Sequence, residues 1–453
     1  MNNQLKEKYG LLTAIAMVVG IVVGSGVFFK AEKVLTATGG DLPLGILAWA
    51  LGGIIMIICA YTFSIMATHY RRVNGLVDYA EAAVGSRYAY YTAWFSTFVY
   101  YPSMTSVLAW VSARYLGVIL GFDITGGPGL VIACFFLIAS YAVNALSPIL
   151  AGRFQVSTTV IKLIPLLLMA IVGTIVGLSN GTIAENFSTV VVESAGSRGM
   201  ALFTAVVATA FAYEGWIIAT SINAELKNAK KNLPIALVLG TLIIAAVYIL
   251  YYVGLAGGAS NEAVMKSGEA GAKLAFENIF GKAGGIGLFV LVVISCLGTL
   301  NGLMLAATRG MYSIAVRGQG PKPEVFGEVS RHTNMPTNSA IVGLVMCAFW
   351  LLFFYGANLV EKPWFGPVAF DSSELPIITI YAFYLPIFLR MMVKERELRP
   401  FKRFVMPLLS LLSCVFMIVA AIFAHGMGVV WYLAVFAVFM LLATPFYRKN
   451  AAK

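Results

Sequence analysis

Apolar stretches of about 20 residues follow one another from end to end of this chain, and short polar segments separate them. Each is long enough to cross the hydrocarbon core of a bilayer as a helix. The runs 44–66, 129–150, 161–178, 236–256 and 406–424 show the pattern best. Read along the whole chain, the pattern predicts about twelve spanning helices. They cover 10–37, 44–69, 86–121, 128–148, 154–178, 199–222, 234–258, 284–316, 338–356, 373–393, 404–424 and 427–447. The fold class is therefore an all-α polytopic membrane protein. With no long polar loop, residues 1–453 form a single membrane domain.

Two segments depart from a plain apolar helix. Segment 1 reads Ile21-Val22-Val23-Gly24-Ser25-Gly26-Val27-Phe28-Phe29, and segment 6 reads Phe211-Ala212-Tyr213-Glu214-Gly215-Trp216. In each, glycine stands beside a polar residue near mid-span. Interrupted helix is tolerated in a membrane only where it is buried or lines a cavity. Each segment opens a block of five spans, and such a matched pair points to an inverted-repeat carrier with its site at the midplane. For Gly24-Ser25-Gly26 alone, close helix packing is an equal alternative. Glu214 tilts the balance, since a mid-span carboxylate costs about 2.5–3.5 kcal/mol on insertion scales.

Composition confirms the membrane reading. Apolar residues make up 60% of the chain and charged residues 11%, too few to coat a soluble protein of 453 residues. The net charge of +11 is a matter of topology. Basic residues gather in the loops after even-numbered segments: Arg71 and Arg72, Lys227, Lys230 and Lys231, and the run from Arg390 to Arg403. The loops on the other side hold few, among them Lys30, Lys33, Lys266 and Lys362. By the positive-inside rule both termini are expected in the cytoplasm, and no nucleic-acid partner is implied. The five cysteines all lie in apolar segments and read as small buried hydrophobes. No cleavable signal is expected, because the first apolar stretch is long and has no A-x-A site.

A gap in a helix leaves free N–H groups on one half and free C=O groups on the other. The N–H end attracts a carboxylate and the C=O end an ammonium, so paired gaps suit a zwitterion. On this reading an L-amino acid places its carboxylate on the amides of Gly24, Ser25 and Gly26. Its ammonium meets the carbonyls of Val22, Phe211, Ala212 and Glu214, with Val23, Tyr213 and Gly215 completing the site.

These motifs resemble a known family. Val23-Gly24-Ser25-Gly26-Val27-Phe28 is similar to the segment-1 signature of the amino acid–polyamine–organocation superfamily. Phe211 to Trp216, followed by Ala224-Glu225-Leu226-Lys227-Asn228 and Asn232-Leu233-Pro234, resembles its L-type amino-acid transporter branch. So do the stretch 155–165 with Lys162 and the loop from Leu389-Arg390 to Arg399-Pro400-Phe401-Lys402. Within that branch, the likeness is to bacterial serine/threonine and alanine/serine/cysteine exchangers. The resemblance implies a LeuT-type fold: inverted five-helix repeats over 10–178 and 199–393, two further helices over 404–447, and segments 1 and 6 unwound at mid-membrane. It also implies sodium-independent exchange of small neutral L-amino acids at the cell membrane. The end of segment 2 departs from the family at Ile65, Arg71 and Asn74, where relatives tend to carry glutamate, proline and glycine.

Individual residues carry competing readings. Lys162 either snorkels to the cytoplasmic face or holds an ammonium where sodium-coupled members of this fold bind the ion between segments 1, 5 and 8. Glu214 either faces the pocket or caps the gap as a neutral acid; the second is favoured. Phe211 is the candidate lid, and Tyr213 and Trp216 are candidate pocket aromatics. Asn301 is balanced between pocket and helix–helix hydrogen bonding, and Glu225 between inner gate and solvated charge. The three histidines are scattered and imply no metal, and no cofactor is expected. No phosphate-binding Gly-rich Lys-Ser/Thr loop is present, so ATP-driven pumping is unsupported, and no constellation of an enzyme stands out. Proton symport through Glu214, or carriage of cationic or modified amino acids, remain as alternatives to exchange. The loop from Gly121 to Pro128 lacks the cysteine that ties animal relatives to a heavy subunit, so no such subunit is expected.

Overall fold

A computed structural model describes residues 10–69, 75–122, 126–192, 197–217, 226–330, 333 and 335–448. Its helices are α1 (Leu11–Val22), α2 (Gly26–Ala37), α3 (Leu42–His69), α4 (Ser86–Leu120), α5 (Gly127–Leu146), α6 (Pro148–Ile161) and α7 (Leu163–Ser179). There follow α8 (Arg198–Tyr213), α9 (Ala229–Gly258), α10 (Gly271–Thr308), α11 (Thr337–Asn358), α12 (Leu375–Lys394), α13 (Met406–His425) and α14 (Met427–Ala443). No strand occurs among the described residues.

Among the described residues, nine helices are long and apolar enough to cross a membrane, or ten when α7 is joined to the short helix Thr182–Ser188, from which it bends by 85°. A count of twelve further requires that two interrupted elements, α1 with α2 and the 16-residue α8, be taken as spans. Large apolar side chains are exposed on outer faces: Val131, Phe135 and Ile138 on α5, and Leu408, Leu412, Val415 and Val419 on α13. Such stripes at helical spacing suit lipid rather than water. Four of the cysteines are buried and Cys134 is half-buried, all as free thiols.

The chain packs as two units, and neither follows the boundaries of the expected five-helix repeats. One comprises 1–89, 166–285 and 378–424; the other comprises 90–165, 286–377 and 425–453. In the first unit, small residues let backbones approach. A Cβ at Gly254 would stand 2.1 Å from the Met169 carbonyl, and one at Gly177 would stand 2.3 Å from Gly257 Cα, so α7 lies directly on α9. Just beyond the end of α2 the Gly39 carbonyl accepts from the amides of Val191 and Val192, both at 3.0 Å. Asn261 Nδ2 donates to the Gly40 carbonyl at 2.8 Å, and Asn186 Nδ2 to the carbonyls of Ala256 and Ala259. Asp41 caps α3 by accepting from the Leu44 amide at 2.9 Å and pairs with Arg198, at the start of α8, at 3.1 Å. Buried amides with partners are the expected state of loop backbone at this depth. They tie the ends of α2 and α9 to the starts of α3 and α8.

In the second unit, α4 carries a π-helical turn over Ser96–Tyr100, and Trp350 Nε1 donates to the Phe98 carbonyl at 2.8 Å. Trp94 Nε1 donates to Phe439 O at 2.9 Å. Asn144 Nδ2 donates to Asn301 Oδ1 at 2.9 Å, and Asn301 Nδ2 donates to Ala151 O at 3.1 Å, which ties α5, α6 and α10 together.

Candidate substrate site at two helix breaks

The first break opens where α1 stops. Val23 has φ −64° and ψ 107°, which is extended, and its amide makes the last bond of α1, to Val19 O at 2.8 Å. Ser25 returns to helical angles and α2 begins at Gly26. The first-turn amides of α2 have no partner within their own helix and carry the positive end of its dipole. Ser25 is fully buried, and its Oγ has no hydrogen-bond partner among the described residues.

The second break follows Tyr213. Glu214 is extended, at φ −74° and ψ 156°, and Gly215 takes φ +106°, which favours glycine there. The carbonyls that end α8 are thereby released.

The two breaks meet. A Cβ on Gly26 would stand 2.5 Å from Ala212 Cα, so the first turn of α2 lies on the last turn of α8 with no room for a side chain. The Tyr248 hydroxyl, from the middle of α9, reaches Val22 O at 3.1 Å and Ala212 O at 3.2 Å. One hydroxyl within bonding distance of both fixes these carbonyls, one from each break, on a common point. Each carbonyl keeps a second lone pair for another donor. Sequence reasoning missed Tyr248. The available signal was a phenol at mid-span, away from the belts where tyrosine usually sits, which must find an acceptor inside the protein.

Several expected site residues are placed differently. Tyr213 contributes its backbone to the break, but its side chain points into the helix interface. Its hydroxyl donates to Trp49 O at 2.9 Å, and its ring clusters with those of Trp49 and Tyr248. The bare backbones of Gly52 and Gly53 make room for it. Asn301 is held by Asn144 and Ala151, which is the helix–helix alternative; a buried amide spends its donors and acceptor where partners stand. Lys162 is buried and caps the C-terminal end of α6. Glu225 and the rest of 218–225 lie outside the described residues, as do Arg71, Arg72, Asn74 and part of the 121–128 loop.

Phe211 is buried, edge-on to Phe29 at 5.8 Å. On the other side of the second break, Phe63 of α3 gathers Trp216, Tyr384, Phe388 and Tyr79 at centroid distances of 4.9–5.7 Å. Tyr381 and Tyr384 of α12 stand near Glu214. Among the described residues no group of three His, Cys, Asp or Glu could hold a metal ion.

Fold and site together define a multi-pass membrane carrier built on two apposed helix breaks. A family model described as amino acid permease matches residues 9–444, and the chain belongs to that family. Among curated proteins it is similar to the serine/threonine exchanger SteT of Bacillus subtilis, 29% identical over 408 residues, covering 89% of this chain and 86% of that one. The human b(0,+)-type amino acid transporter 1 is 26% identical over 381 residues, covering 79% and 75%. The human cystine/glutamate transporter is 23% identical over 350 residues, covering 76% and 68%. Its relatives are thus transporters and exchangers, and the likeness to the L-type branch holds across most of the chain.

Proposed function

We propose that this protein exchanges small neutral L-amino acids across the cell membrane, by alternating access and without sodium, as a single chain with both termini in the cytoplasm. One observation carries the reading. Two carbonyls, one from each break, converge on the Tyr248 hydroxyl, beside the first-turn amides of α2 and the buried Ser25 Oγ. A zwitterion matches this arrangement: its carboxylate takes the amides of Gly24, Ser25 and Gly26, and its ammonium the carbonyls of Val22, Phe211, Ala212 and Glu214. The serine/threonine exchanger similar along 89% of this chain supports both exchange and a small substrate. Sodium independence rests on Lys162, a lysine buried at the C-terminal end of α6, in the segment where sodium-coupled members of this fold hold the ion. Inverted repeats over 10–178 and 199–393 would make the two breaks symmetry mates.

The test is counterflow in proteoliposomes holding the purified chain alone. Labelled serine should enter only when unlabelled amino acid is inside, equally in sodium and choline. Uptake into empty vesicles, or a need for a co-purifying subunit, would contradict exchange or autonomy respectively. A second reading, proton symport, is favoured by Glu214 at the break beside Tyr381 and Tyr384. An inwardly directed proton gradient that drives net accumulation in vesicles without internal substrate would select it.

A further inference from the structure

The site as described uses the faces of α2 and α8 at the breaks. One turn outward from Gly26 on the same face of α2 stands Lys30, which is fully buried. Its Nζ lies 5.0 Å from the centroid of Phe29 and 5.3 Å from that of Phe211, while the two rings meet edge to face at 5.8 Å. A lysine ammonium over ring faces within about 6 Å is attracted by their quadrupoles, most strongly where water is excluded. Lys33 also lies over Phe29, at 5.0 Å, but is only half-buried. Phe211 is two residues from the end of α8, and the proposed site makes its ring the lid over the gap.

We infer that Lys30 is a positioning residue for the Phe211 lid: its buried ammonium, seated between Phe29 and Phe211, holds that ring over the substrate gap. The inference rests on the proposed transport and deepens it. The side chain of α2 that touches the lid is charged, so whatever moves the outer half of segment 1 moves the ring with it. An uncharged side chain of equal length fills the same space without that coupling. Arginine, which also stacks on aromatic faces, preserves it.

The experiment is a double-mutant cycle between Lys30→Met and Phe211→Leu, with Lys30→Arg as rescue and Lys33→Met as control. It is read in two ways. Thermal unfolding of the purified carrier needs no transport: K30M should lower Tm by about 1–4 °C in the wild-type background and by much less beside F211L. Serine exchange in proteoliposomes should show an external KM raised about tenfold by K30M, with the maximal rate within about twofold, and no further rise when K30M is added to F211L. K30R and K33M should stay close to wild type in both. Lys30→Gln serves the same comparison if the methionine variant does not reach the membrane. Additive effects of K30M and F211L, or an arginine variant as impaired as the methionine one, overturn the inference. Coupling in unfolding with no exchange by the wild type would instead sink the transport reading and leave the Lys30–Phe211 link standing.

Discussion

Gly26 offers the sharpest test of the site. Its backbone is not among the left-handed glycines, so conformation is no obstacle to substitution. Space is the obstacle. An added Cβ would lie 2.5 Å from Ala212 Cα and 3.2 Å from both Ala212 N and Cβ. Carbon atoms rest about 3.5–4.0 Å apart, so α2 must retreat from α8 by roughly 1 Å or more. The contact is with backbone, and no rotamer change relieves it. A shift of that size stretches a hydrogen bond near 2.9 Å beyond useful length. The charged ends of a bound amino acid would lose one such bond or more, each worth about 1.5–3 kcal/mol, which is about tenfold to a hundredfold in affinity. Overpacking should add about 1–3 kcal/mol of destabilisation.

Gly26→Ala should therefore raise the external KM by at least about tenfold, and Gly26→Val should abolish exchange while the protein stays monodisperse. The assay is uptake of labelled serine into preloaded proteoliposomes beside thermal unfolding in detergent. Gly177→Ala is the control. It imposes a comparable clash, 2.3 Å from Gly257 Cα, but Gly257 is nine residues along α9 from Tyr248. That separation is about 13 Å at helical rise. The control should lose Tm and keep its KM. Wild-type affinity in Gly26→Ala, or an equal loss of affinity in Gly177→Ala, would refute the placement of substrate between α2 and α8.

Three further outcomes follow from the same geometry. Tyr248→Phe removes the donor shared by Val22 O and Ala212 O, so thermal unfolding should register a loss of about 1–3 kcal/mol and exchange a raised KM; an unchanged KM would mean that the helices alone hold the carbonyls. Asn301→Leu should cost about 0.5–2 kcal/mol by stranding Asn144 and Ala151 O, with KM preserved, whereas a raised KM at unchanged Tm would return Asn301 to the pocket. Lys162→Ala should slow exchange more than it weakens affinity, while replacing sodium by choline should leave the wild type unchanged; a strict sodium requirement, or a fully active alanine variant, would remove Lys162 from the coupling.

Sequence showed where the helices fail and could not show what holds the failed ends. Glycine and a carboxylate inside an apolar run are costly enough to be noticed one at a time, and α1 does stop at Val22 and α8 at Tyr213. The partners of the freed groups come from a helix whose own pattern is ordinary. Tyr248 sits in a run of alanine, valine, isoleucine and leucine, where an aromatic counts simply as bulk. Only the fold brings its hydroxyl to Val22 and Ala212, residues 226 and 36 positions away. Asn144 was silent for the same reason, since an amide near the end of a span reads as interface until Asn301 is found beside it.

Gly26 shows the converse. Close packing and ligand binding are not rivals there, because its missing side chain is what allows α2 and α8 to touch at the ends where amides and carbonyls are free. On the proposed site the packing glycine and the binding glycine are the same residue. The substitutions most damaging to transport should therefore also disturb stability.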